Sequence, residues 1–124
     1  MEKVENRKYP RVKTHNFVSF TEINEDGQLV SHRTGTAKDT SQGGILLETS
    51  EKIKSEYINL IATTLSNTLI EIKGKVVYSK EAGNGIVKNG ISLQGKPDEN
   101  VEFVSSLIRV YNYRKKSKYH KLAY

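Results

Sequence analysis

The sequence predicts a mostly β fold, six short strands in a small antiparallel barrel or sandwich with a C-terminal α-helix. Three observations lead there. Six short strand-like runs are joined by turn-forming residues at hairpin spacing. Apolar periodicity becomes helical only near the C-terminal end. The length, 124 residues of which 35% are hydrophobic, suits one domain with a modest core.

The first eleven residues are polar apart from Met1, Val4 and Tyr9, and Pro10 disfavours helix at Tyr9. They read as a flexible, arginine-bearing arm. Residues 12–20 are β-rich at the even positions (Val12, Thr14, Asn16, Val18 and Phe20), which predicts a first strand. Asp26-Gly27 between two β-type runs is a strong hairpin signal. The return strand, residues 28–37, is Thr-rich and polar, so one of its faces should be wet. A turn is expected at residues 39–44, then a short apolar strand at 45–49 that reads as buried on both sides. Residues 50–56 read as a polar loop and 57–62 as a fourth strand. After a Ser66-Asn67 turn, residues 69–79 form a long fifth strand with Ile70, Ile72, Val76 and Tyr78 on its apolar side. A turn at 82–85 leads to a sixth strand at 86–94. Closing the sheet would leave no unpaired edge.

Val101, Val104, Leu107, Ile108 and Tyr111 make a stripe at helical spacing, which predicts a helix over residues 98–114. Acidic residues crowd its start and basic ones its end, as the helix dipole favours, with Pro97 and Asp98 both suited to the first turn. The expected organisation is therefore an arm at 1–11, a barrel with helix at 12–113 and a basic tail at 114–124.

No cysteine is present, which excludes disulfides, thiolate metal sites and a cysteine nucleophile. The N-terminal stretch has no apolar core of a signal peptide, and no run approaches the ~18 apolar residues of a membrane span. The cytoplasm is the expected compartment. His15, His32 and His120 are scattered without metal-ligand spacing. Neither a nucleophile elbow nor a P-loop is present, and Gly83-Asn84-Gly85 reads as turn chemistry. A non-enzymatic role follows, with no cofactor or metal. The net charge of +6 is compatible with an anionic partner, and equally with ordinary solubility.

Two motifs carry chemistry. Arg7 and Arg11 are four residues apart with Pro10 between them. Each guanidinium is a fork of donors that can grip a phosphate or the O6/N7 edge of guanine, or stack on a base. Alone, the pair also describes a solvated basic arm. In Asp39-Thr40-Ser41-Gln42-Gly43-Gly44, a carboxylate, a hydroxyl and exposed amides could pair with the N1–H and N2–H₂ donors of guanine. The two glycines permit positive φ or close approach to the main chain. Alone, this too describes a plain connecting turn.

An Arg-x-x-x-Arg arm before the first strand, with Asp-x-Ser-x-x-Gly entering the third, resembles the PilZ domain family. The resemblance spans about residues 6–112 and includes Lys75-Val76-Val77-Tyr78 and Asn89-Gly90-Ile91-Ser92-Leu93. Leu93 stands where that family often has Phe, a difference of packing. The resemblance implies a six-stranded antiparallel β-barrel with a C-terminal α-helix, and a receptor for the bacterial second messenger cyclic di-GMP. It implies that Arg7 and Arg11 hold guanine edges and phosphates, and that Asp39, Ser41 and Gly44 contact a guanine. Lys8, Gly43 and Asn6 would be secondary contacts. Asn6 stands where a further basic residue is common, so one ligand or a stacked pair are both open. Arm reorganisation on binding would signal to an unidentified effector protein, since these residues encode no output of their own.

A single-stranded nucleic-acid-binding barrel, using Arg7, Arg11 and the run at 114–121, is the competing reading. It is disfavoured because aromatic residues are only 8% of the chain and form no paired stacking platform. A PilZ-like protein-interaction scaffold is a third. The basic run itself reads as a solvated terminus or as a contact for nucleic acid or acidic lipid.

Overall fold

The computed structural model describes residues 11–123, with side chains through residue 116. Six antiparallel strands, β1 (Val12–Ile23), β2 (Leu29–Ser41), β3 (Gly44–Thr49), β4 (Tyr57–Thr63), β5 (Leu69–Gly83) and β6 (Ile86–Leu93), precede one helix, α1 (Pro97–Ala123). The strands close in the order β1-β2-β3-β6-β5-β4, so every edge finds a partner. The fold is the expected one.

Local chemistry explains each hairpin. In the first, Asn24 Oδ1 accepts from the amides of Asp26 and Gln28, and Gly27 takes φ +81°. In the β2–β3 hairpin Ser41 pairs with Gly44, leaving a two-residue loop of Gln42 and Gly43. Asp39 to Ser41 thus belong to β2, so the expected turn at 39–44 is shorter than its sequence suggested. In the β4–β5 turn the Thr64 hydroxyl accepts from the Thr68 amide, and Asn67 takes φ +64°. In the β5–β6 hairpin Asn84 and Gly85 both have positive φ, as a two-residue loop matched to strand twist requires.

The interior is filled by the inward positions of the strands. Val18, Phe20, Leu47, Ile58, Leu60 and Ile91 are buried there. Each such side chain contributes on the order of 1.5–3 kcal/mol by leaving water. β3 differs from its expectation. Ile45, Leu47 and Thr49 point inward, but Leu46 is half-buried on the outer face beside Glu48. The strand is buried on one side only, because the helix covers another part of the barrel.

α1 begins with Pro97, and the Glu99 carboxylate reaches back to accept from the Lys96 amide, one half of a capping box. Its core contacts are Phe103, Val104 and Leu107, with Ile108 packed beside them. Phe103 is absent from the expected stripe, and Val101 is only half-buried. The helix also runs beyond residue 114 to Ala123, so the basic run lies on helical backbone. It is tied to β1 by polar groups: buried Asn16 donates to the Leu107 carbonyl at 2.7 Å, and Arg114 donates to Asn16 Oδ1 at 2.8 Å.

A second polar cluster sits at the Ile23 end of β1. Arg33 donates to the buried Glu22 carboxylate at 2.9 Å, which also accepts from the Ser55 amide and hydroxyl. The guanidinium lies 5.0 Å from the Phe20 ring centre. Ile53, in the segment read as a polar loop, is buried beneath this end.

Candidate ligand-binding site

The outer wall formed by β2, β3, β6 and β5 carries the candidate site, and two irregularities in pairing build it. Ala37 pairs with Leu47 and Asp39 with Leu46, so Lys38 is an extra residue in β2. Strict alternation after buried Ala37 would have turned Asp39 inward. The bulge turns it outward and returns Thr40 to the interior. Across the sheet, Val76 pairs with Ile91 and Tyr78 with Gly90, so Val77 is extra in β5. That bulge moves Tyr78 from the apolar side, where its spacing placed it, to the outer face.

Following the register across four strands, Asp39 pairs with Leu46, Leu46 with Gly90, and Gly90 with Tyr78. The next outward rung runs Ser41, Gly44, Ser92, Lys75. Between them Thr40, Ile45 and Ile91 face the core. Asp39 and Ser41 therefore stand on one face, two residues apart, opposite a tyrosine.

Two glycines shape this wall through close approach rather than through unusual φ. At Gly44 a Cβ would fall 2.7 Å from the Ile91 carbonyl oxygen. At Gly90 it would collide with the Tyr78 ring, which lies across the bare backbone there. Neither Gly43 nor Gly44 adopts positive φ. The Leu93 amide donates to the Gly43 carbonyl at 3.1 Å, anchoring the hairpin tip on β6.

Arg11 completes the site. It directly precedes β1, where Val12 pairs with Thr40 and Lys13 with Asp39. Arg11, Asp39, Ser41, Gly43, Gly44, Tyr78 and Ser92 all line one cleft of about 310 Å³. Among the described residues, Asp39 makes no ion pair and no side-chain hydrogen bond. Arg7, Lys8 and Asn6 lie outside the described residues. Chemically, the cleft offers a carboxylate acceptor, a guanidinium fork, two hydroxyls and a half-exposed aromatic ring. That combination suits a purine with an attached phosphate. Tyr78, Gly90, Leu46 and Ser92 were not read as site residues. A glycine inside a strand, Gly90, with a single tyrosine, Tyr78, in the strand before it was the available signal, but which residues face one another depends on register.

No group of three or more metal-ligating side chains occurs among the described residues. His15 meets the Lys38 ammonium at 3.3 Å and the edge of Phe17, and His32 shares a hydrogen bond with Thr21. No helix among the described residues is long and apolar enough to cross a membrane.

Comparison with known proteins agrees with the fold. The family model for the PilZ domain matches residues 5–110. No curated protein matches the sequence. Among solved structures, the PilZ domain of YcgR from Escherichia coli with c-di-GMP is similar, with a TM-score of 0.58 and 18% identity. The similarity covers 90% of this chain and 97% of that one. The structure of Bacillus subtilis Inhibitor of motility (MotI/DgrA) is similar with a TM-score of 0.60 and 16% identity, over 83% of this chain. This chain spans half the length of that protein. At such identities the likeness is one of fold.

Proposed function

Since the chain belongs to the PilZ domain family, we propose that it is a receptor for cyclic di-GMP and that the cleft on the outer wall is its binding site. The observation that carries the reading is the meeting of Arg11, Asp39, Ser41 and Gly44 in one cleft. These residues come from the two motifs of the resemblance, and they are far apart in sequence.

Each residue has a role in this reading. Asp39 accepts from the N1–H and N2–H₂ donors of a guanine edge. Arg11 donates to the O6/N7 edge or to a phosphate oxygen, and Arg7 does the same elsewhere on the ligand. Covalent geometry keeps the Arg7 and Arg11 Cα atoms within about 14 Å, a span that one dinucleotide can occupy. Ser41 adds a hydroxyl beside the guanine, and Gly44 lets the ligand lie close to the main chain. Gly43 is a secondary contact at the hairpin tip, and Lys8 and Asn6 are secondary contacts in the arm. Tyr78 supplies a flat face on which a base stacks.

The activity is binding, without a chemical step. A dianion with two purines gives partners to two arm cations at once, so binding draws residues 1–11 toward the barrel of residues 12–113. The altered surface is then read by a separate effector protein. The similarity to the YcgR domain supports the ligand class, because that domain is described with c-di-GMP.

Isothermal titration with cyclic di-GMP tests the proposal. Binding by the wild-type chain, weakened by Arg7→Ala, Arg11→Ala and Asp39→Ala, is the expected result. Absence of heat at tens of micromolar ligand would overturn it. Undiminished binding by Arg11→Ala would remove the arm from the site even with the ligand correct.

A further inference from the structure

The distribution of charge along the chain is lopsided. Residues 1–102 contain 14 of the 20 Lys and Arg and all 14 Asp and Glu, so the whole net charge of +6 lies in residues 103–124. Those six cations are Arg109, Arg114, Lys115, Lys116, Lys118 and Lys121. They all belong to α1, whose backbone stays helical to Ala123. The last buried core residue of the helix is Leu107, and every residue from Asn112 to Lys116 is exposed. From Asn112 to Ala123 the helix is on the order of 18 Å long, without an acidic residue.

Exposed apolar side chains flank this basic stretch. Leu65, at the β4–β5 turn, is 51% exposed and Tyr113 is 58% exposed. Both share a shallow surface hollow with Arg109, Lys115 and Lys116. On the other flank Phe17 and Leu69, 67% and 65% exposed, line a groove with Arg114. Neither hollow contains a residue of the ligand cleft.

Cations interleaved with an exposed leucine and tyrosine need a partner that offers negative charge and an apolar layer together. Nucleic acid offers charge to the cations but nothing to Leu65 or Leu69. Most of the cations are lysines, flexible point charges that suit a diffuse field better than fixed bidentate pairs. An anionic bilayer surface supplies both needs, with tyrosine at headgroup level, lysine stems snorkelling and leucine reaching the acyl boundary. We propose that the C-terminal half of α1, with Leu65 and Tyr113 beside it, docks this protein on anionic lipid surfaces.

Vesicle flotation of the full chain tests this, with phosphatidylcholine alone or mixed with phosphatidylglycerol. Binding should require phosphatidylglycerol and fall with added salt. Each cation near such a surface is worth about fivefold in partition, so Lys115→Gln with Lys116→Gln should lower it about 30-fold. Leu65→Ser with Tyr113→Ser should lower it several-fold at unchanged charge. Lys80→Gln with Lys88→Gln removes the same charge from exposed positions on β5 and β6 and should change little. Circular dichroism melting verifies that each variant folds. An equal loss from the β5/β6 pair would overturn the proposal, since net charge alone would then act. So would equal binding to neutral vesicles, or preference for a single-stranded oligonucleotide over phosphatidylglycerol vesicles.

Discussion

The two sides of the barrel are built by opposite rules. Around β4, pairing is unbroken: Ser19 to Ile23 face Ile61 to Tyr57, and Tyr57 to Thr63 face Lys75 to Leu69, without a register shift. There Ile58, Leu60 and Ala62 alternate strictly into the core. Around the cleft, alternation is broken in β2 and again in β5, at Lys38 and Val77. The regular side spends its side chains on the interior. The bulged side turns a carboxylate and a tyrosine outward, yet Thr40, Ile45 and Ile91 stay buried between them. One sheet thus serves as core and as wall of the cleft, because an inserted residue changes facing locally without moving the rest of the strand.

Mutations should separate the two sides. The largest effect belongs to the regular side. Phe20 is fully buried, and Phe20→Ala should cost about 3–5 kcal/mol of unfolding free energy, measured by urea denaturation. On the bulged side, Asp39→Ala or Arg11→Ala should leave the urea midpoint nearly unchanged. Each should weaken cyclic di-GMP binding by about 10–150-fold in titration, the loss of about 1.5–3 kcal/mol from a charge-assisted contact. If Asp39→Ala instead destabilised the fold by as much as Phe20→Ala, the carboxylate would be a structural group and the contrast would fail.

Tyr78 tests whether the second bulge serves the same site as the first. Tyr78→Ala should weaken binding by about 1–3 kcal/mol, the usual range for loss of a base–aromatic stack, and Tyr78→Phe should restore it. Gly90→Ala reaches the same ring from beneath, because its Cβ would collide with Tyr78. It should reduce affinity and also lower stability by about 1–3 kcal/mol, as overpacking does. An unchanged affinity in both would confine the ligand to the β2–β3 side of the cleft.

The contrast also explains what could be read in the sequence. Strands and hairpins were legible because their signals are local, as in Asn24 to Gly27 and Asn84-Gly85. The motif that holds Asp39 and Ser41 was legible as a local pattern, but its placement was not: both residues lie in β2, and Asp39 faces out only through the bulge at Lys38. The outward turn of Tyr78 was not, because Val76-Val77-Tyr78 gives a bulge only when Ile91 and Gly90 are opposite. Strict alternation put Tyr78 with Ile72 and Val76, and the continuous apolar run Ile45-Leu46-Leu47 made β3 look buried on both faces. Phe103 and Ile53 were missed for a related reason. Their burial depends on which barrel end lies beneath them, and no local period records that. The Arg33–Glu22–Ser55 cluster joins residues 33 positions apart in its longest link, which no spacing rule anticipates.

The smallest expected effect asks what specifies a bulge. Lys38 is the inserted residue of β2, yet its one side-chain hydrogen bond among the described residues is an exposed one with His15 Nδ1, at 3.3 Å. The neighbours on either side are the demanding ones: Ala37 is fully buried, and Thr40 is 1% exposed with its hydroxyl directed to the Val12 carbonyl. Two residues lie between them where strict alternation after Ala37 would put Lys38 outward, Asp39 inward and Thr40 outward. Burial of Ala37 and Thr40 therefore forces an extra residue into the strand, whatever its side chain. Lys38→Ala should accordingly change stability and cyclic di-GMP affinity by no more than about 0.5 kcal/mol each, as a substitution that leaves the buried neighbours in place. A tenfold loss of affinity with unchanged stability would instead make Lys38 a ligand contact, extending the site along β2. A large loss of stability would mean that the lysine itself holds the bulge, and the barrel interior would no longer explain why Asp39 faces out.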